Sequence, residues 1–254
     1  MSKVGEITVA KLAERFDVSL DTIRRDLDQL DADGVLIRTH GGALSPSAQP
    51  RPDTGLDVRS RVQTVAKDRI GALAAGLVED RSAILINAGT TTLAVARHLQ
   101  DHSDLTVATN NLLIPSEVSP TAIRDLYLLG GAVRISAQAT VGPVVFAESL
   151  NGNEVDIQCD LALISVGAVA PVVGYSTSNL GEAAMMREMM ERATRVAVLA
   201  DSSKFGRRLF AQVADLGRAD FLVTDAMPPP ELADELAQGN VTVLTPDTPA
   251  VPGL

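Results

Sequence analysis

The sequence predicts an α/β chain in two parts: a small N-terminal unit of two helices and a β-hairpin, then a larger unit on a mainly parallel sheet. Three observations carry this expectation. Two amphipathic helical patterns and a Gly-centred strand pair fill residues 8–44. Short apolar runs alternate with helical stretches from residue 58 to residue 245, the signature of a sheet covered on both faces. Between them lies SPSAQPRPDTGLD (45–57), rich in Pro, Ser and Asp and without apolar periodicity, which reads as a linker.

In the first part, TVAKLAERF (8–16) places Val9, Leu12, Ala13 and Phe16 at helical spacing. Asp17-Val18 is a tight connection, and Ser19 is a good N-cap for a helix over 20–32, with Asp21 in its first turn. That helix is expected to bury Ile23, Leu27 and Leu30 and to end at Gly34. VLIRTHGGAL (35–44) reads as two short strands around a turn.

In the second part, strands are expected at 83–88, 105–109, 126–130, 161–167, 195–200, 221–225 and 241–245, and helices at 59–78, 91–99, 181–193 and 230–237. The resulting domains are 1–44, a linker 45–57, 58–245, and a Pro-rich, disordered tail 246–254.

Composition narrows the function classes. The chain has 254 residues and a formal charge of −10, which counts against coating nucleic acid by bulk charge but leaves room for a local basic face. No apolar run reaches the roughly 18–20 residues of a membrane span, and no secretory signal is visible; a cytoplasmic protein is expected. Cys159 is the single cysteine and reads as a buried structural residue. One Cys and three scattered His make no metal constellation, and no cofactor is expected.

Two sets of residues carry chemistry. The N-terminal part of a second helix in such a pair can enter the major groove of DNA. Ser19, Thr22, Arg24 and Arg25 could reach bases or phosphates there, and Arg38 and His40 on the hairpin could touch phosphate or the minor groove. The same pattern also fits an amphipathic helix pair with solvated arginines. In the second part, Asn87-Ala88-Gly89-Thr90-Thr91-Thr92 follows a strand and opens a helix. Backbone N–H groups and the helix dipole there favour an anion, phosphate being the natural guest, although a plain N-cap fits too. Thr109 and Asn110, Gly130 and Gly131, Gly167, and the run Asp201–Gly206 with Lys204 all follow other strands, where a parallel sheet presents its ligands. Lys204 could supply counter-charge and Glu182 could accept bonds from sugar hydroxyls. Their bland alternatives are a solvated lysine and a dipole partner at a helix start.

VAKLAERFDVSLDTIRRDLDQLDADGVLIRTHGGA (9–43) resembles the DNA-binding signature of the DeoR family of bacterial regulators. The NAGTTT loop, TNN, LLGG, LALISVG, GEAAMMREMM and ADSSKFG resemble its sensor domain in family order. The resemblance implies a winged helix-turn-helix reader in which Thr22, Arg24 and Arg25 face DNA and Arg38, His40 and Gly41 belong to the wing. It also implies a sensor domain similar to sugar-phosphate isomerases and CoA transferases, operator DNA and a phosphorylated sugar as partners, and a homo-oligomer, dimer or tetramer. On this resemblance the chain is expected to repress a carbohydrate-catabolism operon. Three departures stand out. Asn87 occupies a position that is often Asp, and Met186 one that is often Lys. The family has a further helix ahead of the match, where MSKVGEI stands here. Leu12, Phe16 and Ile23 are therefore expected to lose apolar cover, at about 1.5–3 kcal/mol for each large side chain left exposed. Either the native start lies upstream or the reader is impaired.

An isomerase on the same fold is the rival reading, since fold alone does not fix function. Enediol chemistry needs a base beside the substrate, and AVAPVVGYSTSN (168–179) contains no Asp, Glu or His. A sensor rather than an enzyme is expected, with a ligand-binding protein that no longer binds DNA as a third reading.

Overall fold

The computed structural model describes residues 5–48, 54–143 and 157–248. The chain divides into two compact units, 1–64 and 65–254.

The first unit runs β1 (Glu6–Thr8), α1 (Val9–Phe16), α2 (Leu20–Ala32), β2 (Ile37–Thr39), β3 (Gly42–Leu44) and α3 (Leu56–Arg61). Thr8 caps α1 by accepting from the Lys11 N–H, and Ser19 caps α2 by accepting from the Thr22 N–H. The three strands form an antiparallel sheet in the order β1-β3-β2. β1 passes so close to the hairpin that a Cβ on Gly42 would stand 1.9 Å from the Ile7 carbonyl oxygen. Only glycine fits there. Val9, Ile23, Leu27, Leu36 and Ala43 form the core.

The three side chains expected to be short of apolar cover differ in burial. Ile23 is buried, Leu12 is half-buried, and Phe16 is 61% exposed, with Arg15 over its ring. Leu30 does not join the core as expected; it shares the Ile23–Leu27 face of α2 but stands near the C-terminal end of the helix, 37% exposed. The boundary also moves. The unit extends to Thr64 rather than ending at 44, because Val58 and Val62 bury against Ile37, Leu44 and Ala48. The helix expected over 59–78 is broken at Gln63, whose φ is +54°, so α3 belongs to the first unit. Much of the expected linker is therefore structured; 49–53 lie outside the described residues.

The second unit contains α4 (Thr64–Ala75, entered at its first residue), β4 (Ala83–Ile86), α5 (Thr90–Arg97), β5 (Leu105–Thr109), α6 (Ile114–Glu117), β6 (Ile123–Leu128), β7 (Ala132–Arg134) and β8 (Ala139–Val141). It continues with β9 (Cys159–Ser165), β10 (Ala168–Ala170), β11 (Gly174–Thr177), α7 (Leu180–Glu191), β12 (Ala193–Leu199), β13 (Ala211–Ala214), β14 (Phe221–Val223), α8 (Pro230–Gln238) and β15 (Thr242–Leu244). Seven strands form a parallel sheet in the order β15-β14-β12-β9-β4-β5-β6. All seven expected strands are in it. Alternate residues serve opposite faces, as the pleat requires. Leu161 and Leu163 join α4 and α5 in one core, while Ala162 and Ile164 pack with the four methionines of α7 and with α8 in the other.

Two pieces were not expected. One is the antiparallel hairpin β7-β8, which starts at Gly130-Gly131; the other is an antiparallel sheet β10-β11-β13. AVAPVVGYSTSN is thus a hairpin rather than a loop. Of the expected disordered tail, 246–248 form a turn closed by Thr248 against Thr245, and 249–254 lie outside the described residues.

Cys159 is buried in the core, and burial, reinforced by the charge of Asp160, pushes its thiol up to about 11. The native chain is expected to leave Cys159 unreactive toward a thiol reagent at pH 8 and to react once unfolded in urea. Rapid native-state labelling would contradict this packing.

Candidate functional site: a DNA-reading face and a sheet-edge crevice

The reading face is set by the N-terminal turns of α2 and by the β2-β3 wing. Most of its expected contacts are already occupied. The Ser19 hydroxyl lies 2.8 Å from that of Thr22 while capping the helix. Arg24 donates to Asp21 at 2.7 Å. Arg38 is turned inward: its Nε donates to Asp28 at 2.9 Å, and its Nη1 to the carbonyls of Thr39 and Gly42 at 2.8 and 3.0 Å. Arg38 thus staples the wing to the recognition helix. Arg25 and His40 are exposed, and neither has a hydrogen-bond or ion-pair partner among the described residues.

The second unit offers a crevice. Counted in chain order, its sheet reads 3-2-1-4-5-6-7 from β6 to β15, so the winding reverses between β4 and β9. In such sheets ligands bind beyond the carboxyl ends of the strands at that reversal. Asn87 follows β4 there and is 1% exposed. Its Nδ2 donates to the Ser165 carbonyl at 2.9 Å, and its Oδ1 accepts from the Ser165 N–H at 2.8 Å and from its hydroxyl at 3.2 Å. The carboxamide therefore locks β4 to β9 instead of projecting into the crevice. Gly89 packs on the same serine; a Cβ there would stand 2.0 Å from Ser165 Oγ.

This packing presents the first turn of α5. Among the described residues, the backbone N–H groups of Gly89, Thr90 and Thr91 and the hydroxyls of both threonines have no partner. Thr92, fully buried, donates to the Asn87 carbonyl at 2.7 Å.

The neighbouring loops are internally bonded. Thr109 donates to the Ile86 carbonyl at 2.7 Å. Asn110 accepts from the Ala88 N–H at 2.7 Å and donates to the Thr140 carbonyl at 2.8 Å, so it joins the α5 turn to the β7-β8 hairpin. Gly130 and Gly131 are exposed and open that hairpin, and the Gly167 N–H donates to the Ser176 carbonyl at 3.0 Å. Glu182 accepts from Arg134 on β7 and, at 3.1 Å, from Thr177, so both its oxygens are engaged. Arg134 ends a three-residue strand of a hairpin that no local pattern in the sequence announces. Lys204 is half-buried in the turn after β12, where its N–H donates to the Asp201 carbonyl at 2.9 Å. Asp201 is 1% exposed and accepts from Ser203. No cluster of side chains able to hold a metal occurs among the described residues, and no described helix is long and apolar enough to cross a membrane.

A winged helix-turn-helix joined to a doubly wound unit with an anion-favouring crevice defines a DNA-binding transcriptional regulator. The DeoR-like helix-turn-helix domain matches residues 1–49 and the DeoR C terminal sensor domain matches residues 62–226. The chain belongs to the DeoR family. It is 34% identical over 242 residues to the HTH-type transcriptional repressor GlcR of Bacillus subtilis, covering 94% of this chain and 90% of that one. It is 29% identical over 237 residues to the glycerol-3-phosphate regulon repressor of Escherichia coli, covering 93% and 91%. Among solved structures, ribose 5-phosphate isomerase A from Methanocaldococcus jannaschii overlaps 56% of this chain and 55% of its own, at a TM-score of 0.38 and 16% identity.

The contact between Gly89 and Ser165 yields a specific prediction. Gly89→Ala is expected to destabilise the chain by about 1–3 kcal/mol through overpacking. Adding Ser165→Ala should make the two changes strongly non-additive, since it removes the clashing oxygen. Urea unfolding of the four proteins checks this; simple additivity would contradict the contact.

Proposed function

We propose that the chain represses a carbohydrate-catabolism operon in the cytoplasm and is released from its operator when a phosphorylated sugar enters the crevice. One observation carries the proposal: the unpartnered first turn of α5 at the reversal of the sheet. Three N–H groups and two hydroxyls at the positive end of a helix suit a phosphate. Lys204 supplies counter-charge, and Gly130, Gly131 and Gly167 border the space for the sugar. Asn87, Thr109, Asn110 and Glu182 act here as the frame that shapes the crevice. The names of the relatives, one of them a glycerol-3-phosphate regulon repressor, support the same reading.

Binding rather than catalysis is the role we assign. The β10-β11 hairpin beside the crevice bears no Asp, Glu or His, so no general base is offered from that side. The chain works as a dimer or tetramer, because two readers on one operator raise the effective concentration of each. Effector binding then changes the spacing of the readers; a coupling of roughly 1–3 kcal/mol corresponds to an affinity change of about 5–150-fold.

On the reading face Arg25 makes the base contact, Ser19 and Thr22 approach the backbone as the cap they form, and Arg24 and Arg38 act from their ion pairs. Arg25→Ala is expected to cost about 1–3 kcal/mol on the duplex that the wild-type chain selects from a random library, and to relax selection at one or two base pairs. If the wild-type chain selects no sequence, the reading as a repressor fails, and that of a ligand-binding protein without a working reader takes its place.

A further inference from the structure

Asp31 sits in the last turn of α2, and Arg61 ends α3. Arg61 Nη2 donates to Asp31 Oδ1 at 2.6 Å, and Nη1 to Oδ2 at 3.2 Å. Such a two-pronged contact fixes direction as well as distance. Asp31 Oδ1 also accepts the backbone N–H of Arg38 at 3.0 Å, so three elements meet on one carboxylate. A carboxylate at this end of a helix faces the negative pole of the helix dipole. α2 has no basic residue of its own in that turn, and Arg61 provides the counter-charge from outside the helix. The guanidinium holds the Asp31 carboxyl below the usual carboxylate range.

The rest of α3 is seated firmly. Val58 and Val62 are buried against Ile37, Leu44 and Ala48. Gln63 donates from its side chain to the Ser47 carbonyl at 2.8 Å and from its backbone to the Pro46 carbonyl at 2.9 Å. Arg61 lies outside both family matches, which end at 49 and begin at 62. It is also separate from the DNA-facing residues Arg25 and His40.

We propose that Arg61 and Asp31 are a positioning pair for operator recognition: α3 is a working element of the reader and holds the recognition helix in its reading posture without touching DNA. The proposal rests on the reading of this unit as a DNA reader. It has a mechanical consequence. Val62 and Gln63 alone separate α3 from α4, so the segment by which the chain leaves the reader is itself bonded to the helix that reads.

The test uses the full chain, the duplex that the wild type selects from a random-sequence library, and a scrambled duplex of the same composition. Arg61→Gln is expected to bind the selected duplex about 3- to 5-fold more weakly, the scale of a single well-formed exposed ion pair. Binding to the scrambled duplex and the slope of log affinity against log salt should be unchanged. Arg61→Lys should recover at least half of the loss. Asp31→Asn should lose as much as Arg61→Gln, and the double variant no more than either, because the two residues act as one unit. Thermal unfolding identifies any variant that fails to fold; Asp31→Asn keeps the test open should Arg61→Gln do so. A slope lowered by about 0.9, with equal loss on both duplexes, would mean that Arg61 contacts a phosphate and would overturn the proposal. Unchanged affinity of Arg61→Gln and Asp31→Asn for the selected duplex would overturn it as well. A wild-type chain that selects no sequence would refute the DNA reader itself, a result separate from either of these.

Discussion

The bond set between Asn87 and Ser165 is the constraint on which the sensor unit depends. It ties together the two strands at which the sheet reverses its winding. One side chain both donates to and accepts from the backbone of Ser165, which a carboxamide can do and an ionised carboxylate cannot. The group is buried, so leaving any of these atoms unmatched would cost about 1–3 kcal/mol. Ser165 then forces Gly89 to remain bare, and the chain turns over it into α5. With the Asn87 carboxamide engaged in the frame, what is left facing the crevice is backbone N–H and threonine hydroxyl. Such a first turn is fixed by the fold and has the chemistry that favours an anion.

The reader obeys a different constraint, the balance of charge on one helix. α2 carries Asp21, Asp26, Asp28 and Asp31 but only Arg24 and Arg25. Arg24 answers Asp21, Arg38 answers Asp28, and Arg61 answers Asp31. The wing and α3 thereby pair two of its carboxylates as well as packing beside it, and fewer arginines face outward than the sequence suggests.

The main sheet was legible in the sequence because each strand contains a short apolar run, although β6 carries Arg124 and Asp125 near its start and shows only its second half that way. The antiparallel pieces were not. β7, β8, β10, β11 and β13 have three or four residues each, and β13 begins more than thirty residues after its partner β11, so no local pattern announces the pairing. The described parts of the expected linker were hidden by composition: SPSAQPRPDTGLD has no apolar period, and the two valines that seat α3 lie just beyond it. That the loops of the crevice follow strands is legible in the sequence, whereas the bonds that Asn87, Arg38 and Glu182 make are not. A sequence shows that a side chain is polar but not that a neighbour already holds it. The sequence leaves Glu182 open as a sugar contact or a dipole partner at a helix start, whereas in the structure Arg134 and Thr177 occupy both its oxygens.

In the function we propose, an anion held by the first turn of α5 controls DNA binding. The backbone amide resonances of Gly89, Thr90 and Thr91 can be followed while a panel of sugar phosphates is added to the chain bound to its selected duplex. One of them is expected to shift these three resonances at the concentration that releases the duplex, and its unphosphorylated sugar to do neither. Release of DNA with these amides unmoved would contradict the proposal.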